Sequence, residues 1–111
     1  MERIHYAGDS LLTGSDIARA LLEYASALAR NELSATVDIP VRHDDGSIGH
    51  ANFLIGPASQ LVSETEPSPF DELTDPSLVE MLTHETNNLR PAHPVVSSSE
   101  PDDELNLMDD L

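Results

Sequence analysis

The chain has 111 residues and a formal net charge of −16, with five arginines, no lysine and no cysteine. This length allows one domain at most, and the lack of thiols excludes disulfides and thiolate metal sites. So few cations cannot neutralise the phosphates of DNA, RNA or an anionic membrane, and we expect none of these as direct partners.

The charge divides the sequence into two parts. Residues 1–62 carry eight acids against four arginines, a net charge of −4, and residues 63–111 carry thirteen acids against Arg90, a net charge of −12. A stretch of high net charge with few apolar side chains does not recover the entropy lost on ordering. We therefore predict a compact domain at 1–63, a linker at 64–74, a short amphipathic helix at 75–90 and a disordered acidic tail at 91–111.

The first predicted element is a short strand in "RIHYA", residues 3–7. Ile4 and Tyr6 alternate with Arg3 and His5, which is typical of a strand with one buried face. Gly8 then breaks the pattern.

A helix follows in "TGSDIARALLEYASALARNE". Apolar side chains recur at helical spacing from Ile17 to Leu28 and form one face. Thr13 or Ser15 is the expected N-cap, and Asp16 places a carboxylate in the first turn, where backbone N–H groups lack partners.

The next segment predicts β-structure. Apolar side chains alternate from Val37 to Val41, so one face points into a core. Pro40 has no N–H to donate, which predicts either an edge strand or a position where the missing donor faces solvent.

A hairpin is predicted at Asp44-Asp45-Gly46, because glycine adopts the positive φ that tight turns require. The return strand covers about 47–55, and residues 59–63 form a possible last strand. The predicted fold is therefore α+β, a sheet of three or four strands in β-α-β-β order with one amphipathic helix on one face.

Self-association is expected on two grounds. A domain of about 60 residues buries only about 60% of its unfolded surface, so its stability is marginal. Small side chains also make the helix slim enough for a second copy to approach, which favours a homodimer; they are Ala18, Ala20, Ala25, Ala27 and Ala29.

The acidic part contains two sets of apolar side chains that we predict to bind a partner. The first lies on one side of the helix predicted at 75–90 and comprises Leu78, Met81, Leu82 and Leu89. The second interrupts the acidic run "DDELNLMDDL" and comprises Leu105, Leu107, Met108 and Leu111. Acidic and apolar residues alternate in this way in short peptides that order on contact with a partner.

The stretch "AGDSLLTG", residues 7–14, resembles the first sequence block of the GDSL, or SGNH, family of esterases and lipases. The resemblance implies that a strand ends at Gly8-Asp9-Ser10 and that Ser10 opens a helix as the catalytic nucleophile. That family also carries an Asp-x-x-His motif near its C-terminus, which this sequence lacks. The alternative is a turn in which Asp9 or Ser10 bonds backbone groups near the helix start.

The predicted hairpin is flanked by groups that bind divalent metals, namely His43, Asp44, Asp45 and His50. Imidazole together with carboxylate suits zinc or a similar ion. Their spacing matches no established ligand pattern, and acids in turns are ordinarily solvated. We therefore predict no metal and no other cofactor, with these residues as the only metal candidates.

The leading hypothesis is a non-enzymatic interaction or adaptor protein whose acidic C-terminal arm docks on a partner protein with a basic or apolar groove. An alternative is an acidic inhibitor that mimics nucleic acid, similar to an antitoxin or an anti-restriction protein. The third is a small GDSL-like serine hydrolase that uses Ser10. With no basic region followed by an apolar run at its start, the chain is expected to be cytoplasmic.

Overall fold

The computed structural model describes residues 1–89. Five strands and two helices follow in the order β1 (Glu2–Tyr6), β2 (Asp9–Thr13), α1 (Ser15–Arg30), β3 (Ala35–Arg42), β4 (Ile48–Ile55), β5 (Leu61–Thr65) and α2 (Pro76–Leu89). All strand pairs are antiparallel, and the sheet order is β4-β3-β2-β1-β5. The α+β class is confirmed, but the sheet has five strands rather than three or four, and two strands rather than one precede α1.

The additional strand arises from a tight turn at Ala7 and Gly8. Their φ angles are 51° and 85°, and positive φ at both central residues is the geometry that joins two antiparallel strands with the natural twist. β2 therefore folds back on β1, with Tyr6 opposite Asp9 and Glu2 opposite Thr13. The break predicted at Gly8 is this turn, whereas Asp9 and Ser10, expected in a turn near the helix start, lie in β2.

The hairpin predicted at residues 44–46 is confirmed. The Gly46 N–H donates to the His43 carbonyl at 2.9 Å, and the His43 N–H donates to the Ser47 carbonyl at 2.8 Å. Gly46 has a φ of 89°, as a three-residue loop that ends in a left-handed residue requires. β3 and β4 pair over their whole length, from Ala35 opposite Ile55 to Arg42 opposite Ile48.

Pro40 does not mark an edge, because β3 lies between β4 and β2. The N–H of His43 points at β4. Because the N–H groups of successive residues point to opposite sides of a strand, the nitrogen of Pro40, three residues earlier, points away from β4. On that side, β2 pairs with β3 at Leu12 and Arg42, and the Thr13 hydroxyl donates to the Pro40 carbonyl at 2.8 Å. The β3–β4 ladder therefore loses no hydrogen bond.

The core lies between α1 and one face of the sheet, as predicted. α1 contributes Ile17, Leu21 and Leu28, which pack against side chains of β3 and β4, namely Val37, Ile39, Val41, Phe53 and Ile55. α2 packs beside α1. Leu82 of α2, and Leu73 from the segment that precedes it, are buried in the same cluster.

The sheet is strongly curved. Tyr6 on β1 and Phe53 on β4 are three strand spacings apart in the sheet order, too far for their side chains to meet in a flat sheet. Their ring centroids nevertheless lie 5.1 Å apart, and the Tyr6 hydroxyl donates to the Leu54 carbonyl. The curvature brings the Tyr6 end of β1 next to the last residues of β4.

α1 begins without the side-chain cap expected from Thr13 or Ser15. Its N-cap is Gly14, and no side chain of the cap bonds the first turn. The N–H of Ser15 donates instead to Oε2 of Glu72, at 2.6 Å. The helix start therefore depends on a residue beyond β5.

Candidate functional site

Ser10 lies within β2 rather than at the start of a helix. Its cross-strand neighbour is His5, whose Nε2 is 3.2 Å from Oε1 of Glu64. A serine nucleophile requires a base within hydrogen-bond reach and donors for the oxyanion. Among residues 1–89, no hydrogen bond joins Ser10 to His5, and the strand continues after Ser10. The local structure implied by the GDSL resemblance is therefore not the one found.

The metal candidates do not converge. Oδ1 of Asp45 accepts from the hydroxyl of Ser47 at 2.6 Å and from its backbone N–H at 2.9 Å, and these bonds, the hydroxyl first, lower the pKa of Asp45. His50 Nδ1 lies 2.9 Å from Oδ1 of Asp38, and the His43 ring lies against Gly49. Within the described range, no three His, Asp or Glu side chains are arranged to hold a metal ion.

The predicted docking residues of α2 have different environments. Leu82 is fully buried, whereas Met81 is 48% exposed. Leu78 and Leu89 are partly buried against the core. Met81 is therefore the member of this set that is free to meet a partner. The second set, Leu105, Leu107, Met108 and Leu111, lies outside the described residues.

The small residues of α1 largely face their own chain. Ala18, Ala20 and Ala27 are buried, and Ala25 packs against the core cluster. Ala29 is exposed. The side of α1 that we expected to receive a second copy is thus mostly occupied within the protein.

Sequence reasoning missed the outward edge of β4, which faces β1 and β2 of the same chain across a cavity of about 580 Å³. β4 is the last strand on its side of the sheet. Because His43 and Ser47 bond each other across the hairpin, the N–H and C=O groups of alternate residues point away from β3. These outward-facing residues are Ile48, His50, Asn52 and Leu54. At the last of them, the Leu54 carbonyl accepts from the Tyr6 hydroxyl, which agrees with this assignment.

The two edges of the sheet differ in charge and length. β4 has eight residues and no carboxylate, lysine or proline, although the chain carries 21 acidic residues. β5, at the opposite edge, has five residues and includes Glu64. Charges, prolines and short length are the means by which proteins protect sheet edges from pairing. β5 has such protection, and β4 does not.

The outer face of the sheet, opposite α1, carries exposed apolar side chains near this edge. Ile48 and Leu54 are 56% and 59% exposed, and Val62 on β5 is 59% exposed. Leu54 and Val62 also line an open groove of about 770 Å³ between the ends of β4 and β5. The sequence signal for this surface is the eight-residue run "IGHANFLI", which has no acidic residue within a strongly acidic chain.

No protein family, curated protein or solved structure matches the chain. Neither helix of the described residues has the length and apolar character needed to cross a bilayer. The proposal below therefore depends on the geometry of the chain itself.

Proposed function

We propose that the protein is a non-enzymatic interaction protein and that it binds another polypeptide by strand addition to β4. The observation that supports this most directly is the uncharged edge of eight residues, whose alternate N–H and C=O groups face the cavity that β4 shares with β1 and β2. In strand addition, main-chain hydrogen bonds supply the affinity, and side chains on alternate positions supply the specificity.

The side chains beside this edge suit that role. Ile48 and Leu54 lie near the two ends of β4 and are both more than half exposed. An added strand would cover both, and burial of apolar surface contributes about 25 cal/mol per Å². His50 and Asn52 between them offer polar contacts. Preformed strand geometry on the receiving side lowers the ordering cost of binding.

The acidic arm predicted at 91–111 is a second contact in this proposal. It would act by ordering on the partner, which gives modest and reversible affinity. A chain that ends at Leu89 retains α2 and the whole sheet. Comparing the binding of this shortened chain with that of the full chain measures the contribution of the arm.

The experiment places a photoreactive amino acid at Asn52 of the full chain and, as the matched control, at Glu64 on the opposite edge. Illumination in a lysate of the source cells is expected to cross-link a polypeptide from position 52 and not from position 64. Adding His50→Pro removes an outward N–H without breaking a β3–β4 bond, and should abolish the cross-link. Cross-linking that is equal at both positions, or absent at 52, contradicts the proposal.

A second measurement addresses the hydrolase alternative. Ser10 is exposed on its strand, and we expect a fluorophosphonate probe to leave it unlabelled. Labelling that is lost on Ser10→Ala would favour a hydrolase instead.

A further inference from the structure

We infer that the apolar set of the acidic arm binds within its own chain, in the open groove of about 770 Å³ between the ends of β4 and β5. The side chains that fill the groove are Leu105, Leu107, Met108 and Leu111. This inference goes beyond the proposed function and does not depend on it. It gives the arm an intramolecular site, for which any partner of the arm or of the groove must compete.

The groove is an apolar surface in a strongly acidic protein. Leu54 and Val62 line it, each 59% exposed, and contiguous exposed apolar surface marks interaction sites. Among the described residues that line the groove there is no aspartate or glutamate, and the basic side chain there is that of His5. An apolar segment with acids on both sides can therefore enter without meeting a like charge in the lining.

The arm starts beside this groove. The carbonyl of Leu89, at the end of α2, accepts from Nδ2 of Asn31 at 3.0 Å. Asn31 lies three residues before Ser34, which lines the groove, and three residues span at most about 10 Å. Leu33, between them in the chain, is itself 45% exposed. The segment that follows Leu89 therefore leaves the fold close to the proposed site.

The arm is long enough to reach the groove and short enough to stay near it. Leu105 lies 16 residues beyond Leu89, a distance of up to about 54 Å for an extended chain and about 22 Å on average for a coil. A ligand on such a tether has an effective concentration of about 1 mM. A contact with a dissociation constant of about 1 mM would thus occupy the groove half of the time.

The cavity between β4 and the first two strands is a less suitable site for this arm. Arg3 and Arg42 line it, but so do Asp9 and Asp44. Arg3 already bonds both carboxylate oxygens of Glu66, and the guanidinium of Arg42 bonds two backbone carbonyls. The cations of that cavity are therefore engaged within the fold, and its carboxylates oppose an acidic ligand.

Salt distinguishes the two sites. The chain has a net charge of −16, so an acidic arm is repelled by the rest of the protein, and salt screens this repulsion. Burial of apolar side chains in the groove should therefore strengthen as salt is raised. Attraction of the arm to arginines would weaken instead.

The test is a nitroxide spin label on Asn106→Cys in the full chain, which has no other cysteine. The label broadens the amide NMR signals of residues close to it. We expect broadening at Ser34, Gln60 and Val62, in and beside the groove, and little at Gly46, beyond the far end of β4. The broadening should persist or increase as salt is raised.

The matched control for the arm replaces its apolar set at constant charge and length, and should abolish the selective broadening. It carries Leu105→Ser, Leu107→Ser, Met108→Ser and Leu111→Ser together. Broadening that persists at the groove in this variant would show that the label visits the groove without the apolar contacts, and would overturn the inference.

The groove is tested from its own side by Leu54→Glu with Val62→Glu, which should also abolish the broadening. Ile48→Glu is the control, because Ile48 is 56% exposed on the same strand but lies outside the groove, and it should leave the broadening unchanged. All three side chains are exposed, and the amide spectrum verifies that each variant is folded.

The remaining outcomes identify other occupants. Broadening centred on Arg42 would place the arm in the other cavity, and broadening at no site would leave the groove to a different ligand; either result overturns the inference. A mixture of spin-labelled chain with isotope-labelled chain that carries no spin label tests for a second copy. Equal broadening in that mixture would mean that the arm binds between copies, which also overturns it. Cross-linking at position 52 reports on the edge of β4, so strand addition is decided separately.

Discussion

Glu72 caps the helix that begins at Ser15, 57 residues earlier in the chain. Its Oε2 accepts from the Ser15 backbone N–H at 2.6 Å, and its Oε1 lies 3.2 Å from the amino group of Met1. The first N–H groups of a helix have no partner within the helix, and the helix dipole favours a negative charge there. The segment between β5 and α2 thus completes the start of α1.

Glu72→Ala should therefore lower the free energy of unfolding at neutral pH by about 1 kcal/mol, the usual effect of losing a cap. The Ser15 N–H, and after it the amino group of Met1, hold the pKa of Glu72 below its ordinary value of 4.5. A folded-state pKa lower than the unfolded one gives stability that is complete above the ordinary value and lost as pH falls through the folded value. The difference in free energy of unfolding between wild type and Glu72→Ala should therefore shrink below pH 4.5.

Urea denaturation at a series of pH values measures this difference. Glu80→Ala, at an exposed position of α2, is the control and should change stability little at any pH. If the free energies of unfolding of wild type and Glu72→Ala differ by the same amount down to strongly acid pH, the capping role is contradicted.

Gly14→Ala should destabilise the fold at the same junction. A Cβ at this position would overlap the backbone carbonyl oxygen of Leu73. Overpacking of this kind costs about 1–3 kcal/mol, and thermal unfolding measures it. The obstructing atom belongs to the backbone, so no side-chain rotation relieves the overlap. An unchanged thermal midpoint in Gly14→Ala would contradict this close approach.

The sequence pattern was sufficient for the parts of the fold that depend on local periodicity. α1 and the β3–β4 hairpin lie within a few residues of their predicted positions, because a helical stripe and an Asp-Asp-Gly turn leave clear local signals. The first hairpin was missed because Ala7 adopts a positive φ of 51°, which alanine rarely does. The cap by Glu72 could not be predicted either, since it joins residues far apart in sequence.

The candidate site was less predictable than the fold. Apolar residues at helical spacing indicated a partner surface on α2, but spacing does not tell whether a stripe faces a partner or its own core. The structure buries Leu82 fully. The position of β4 at one end of the sheet depends on strand order, which the predicted β-α-β-β arrangement did not contain. The absence of acidic residues from 48–55 was visible in the sequence, but it has meaning only once β4 is known to be an edge.

Ala7→Asn should stabilise the protein. Asparagine accepts the left-handed conformation more readily than alanine and is favoured in this turn type, so we expect a gain of up to about 1 kcal/mol in the free energy of unfolding. Ala58→Asn, on an exposed loop where the backbone has no positive φ, is the control and should bring no gain. An equal gain from both changes would show that the effect comes from polarity and not from the turn.

Leu82→Ala and Met81→Ala compare adjacent residues of α2 with opposite environments. Leu82 is fully buried and Met81 is 48% exposed. Truncation of a buried leucine costs about 2–5 kcal/mol, whereas exposed substitutions usually stay within about 0.5 kcal/mol. Urea denaturation should show this contrast, and equal small effects would indicate that α2 is not part of the cooperative fold.

A chain that ends at residue 63 tests the predicted domain boundary directly. It lacks Leu73 and Leu82 of the core cluster, the carboxylate that caps α1 and Glu66, which bonds Arg3 through two oxygens at 3.0 and 2.7 Å. From these losses we expect the shortened chain to give no cooperative thermal transition, whereas a chain that ends at Leu89 should unfold like the full protein. A sharp transition in the 63-residue chain would place the boundary where composition and charge predict it, and would mean that α2 packs on a domain that folds without it.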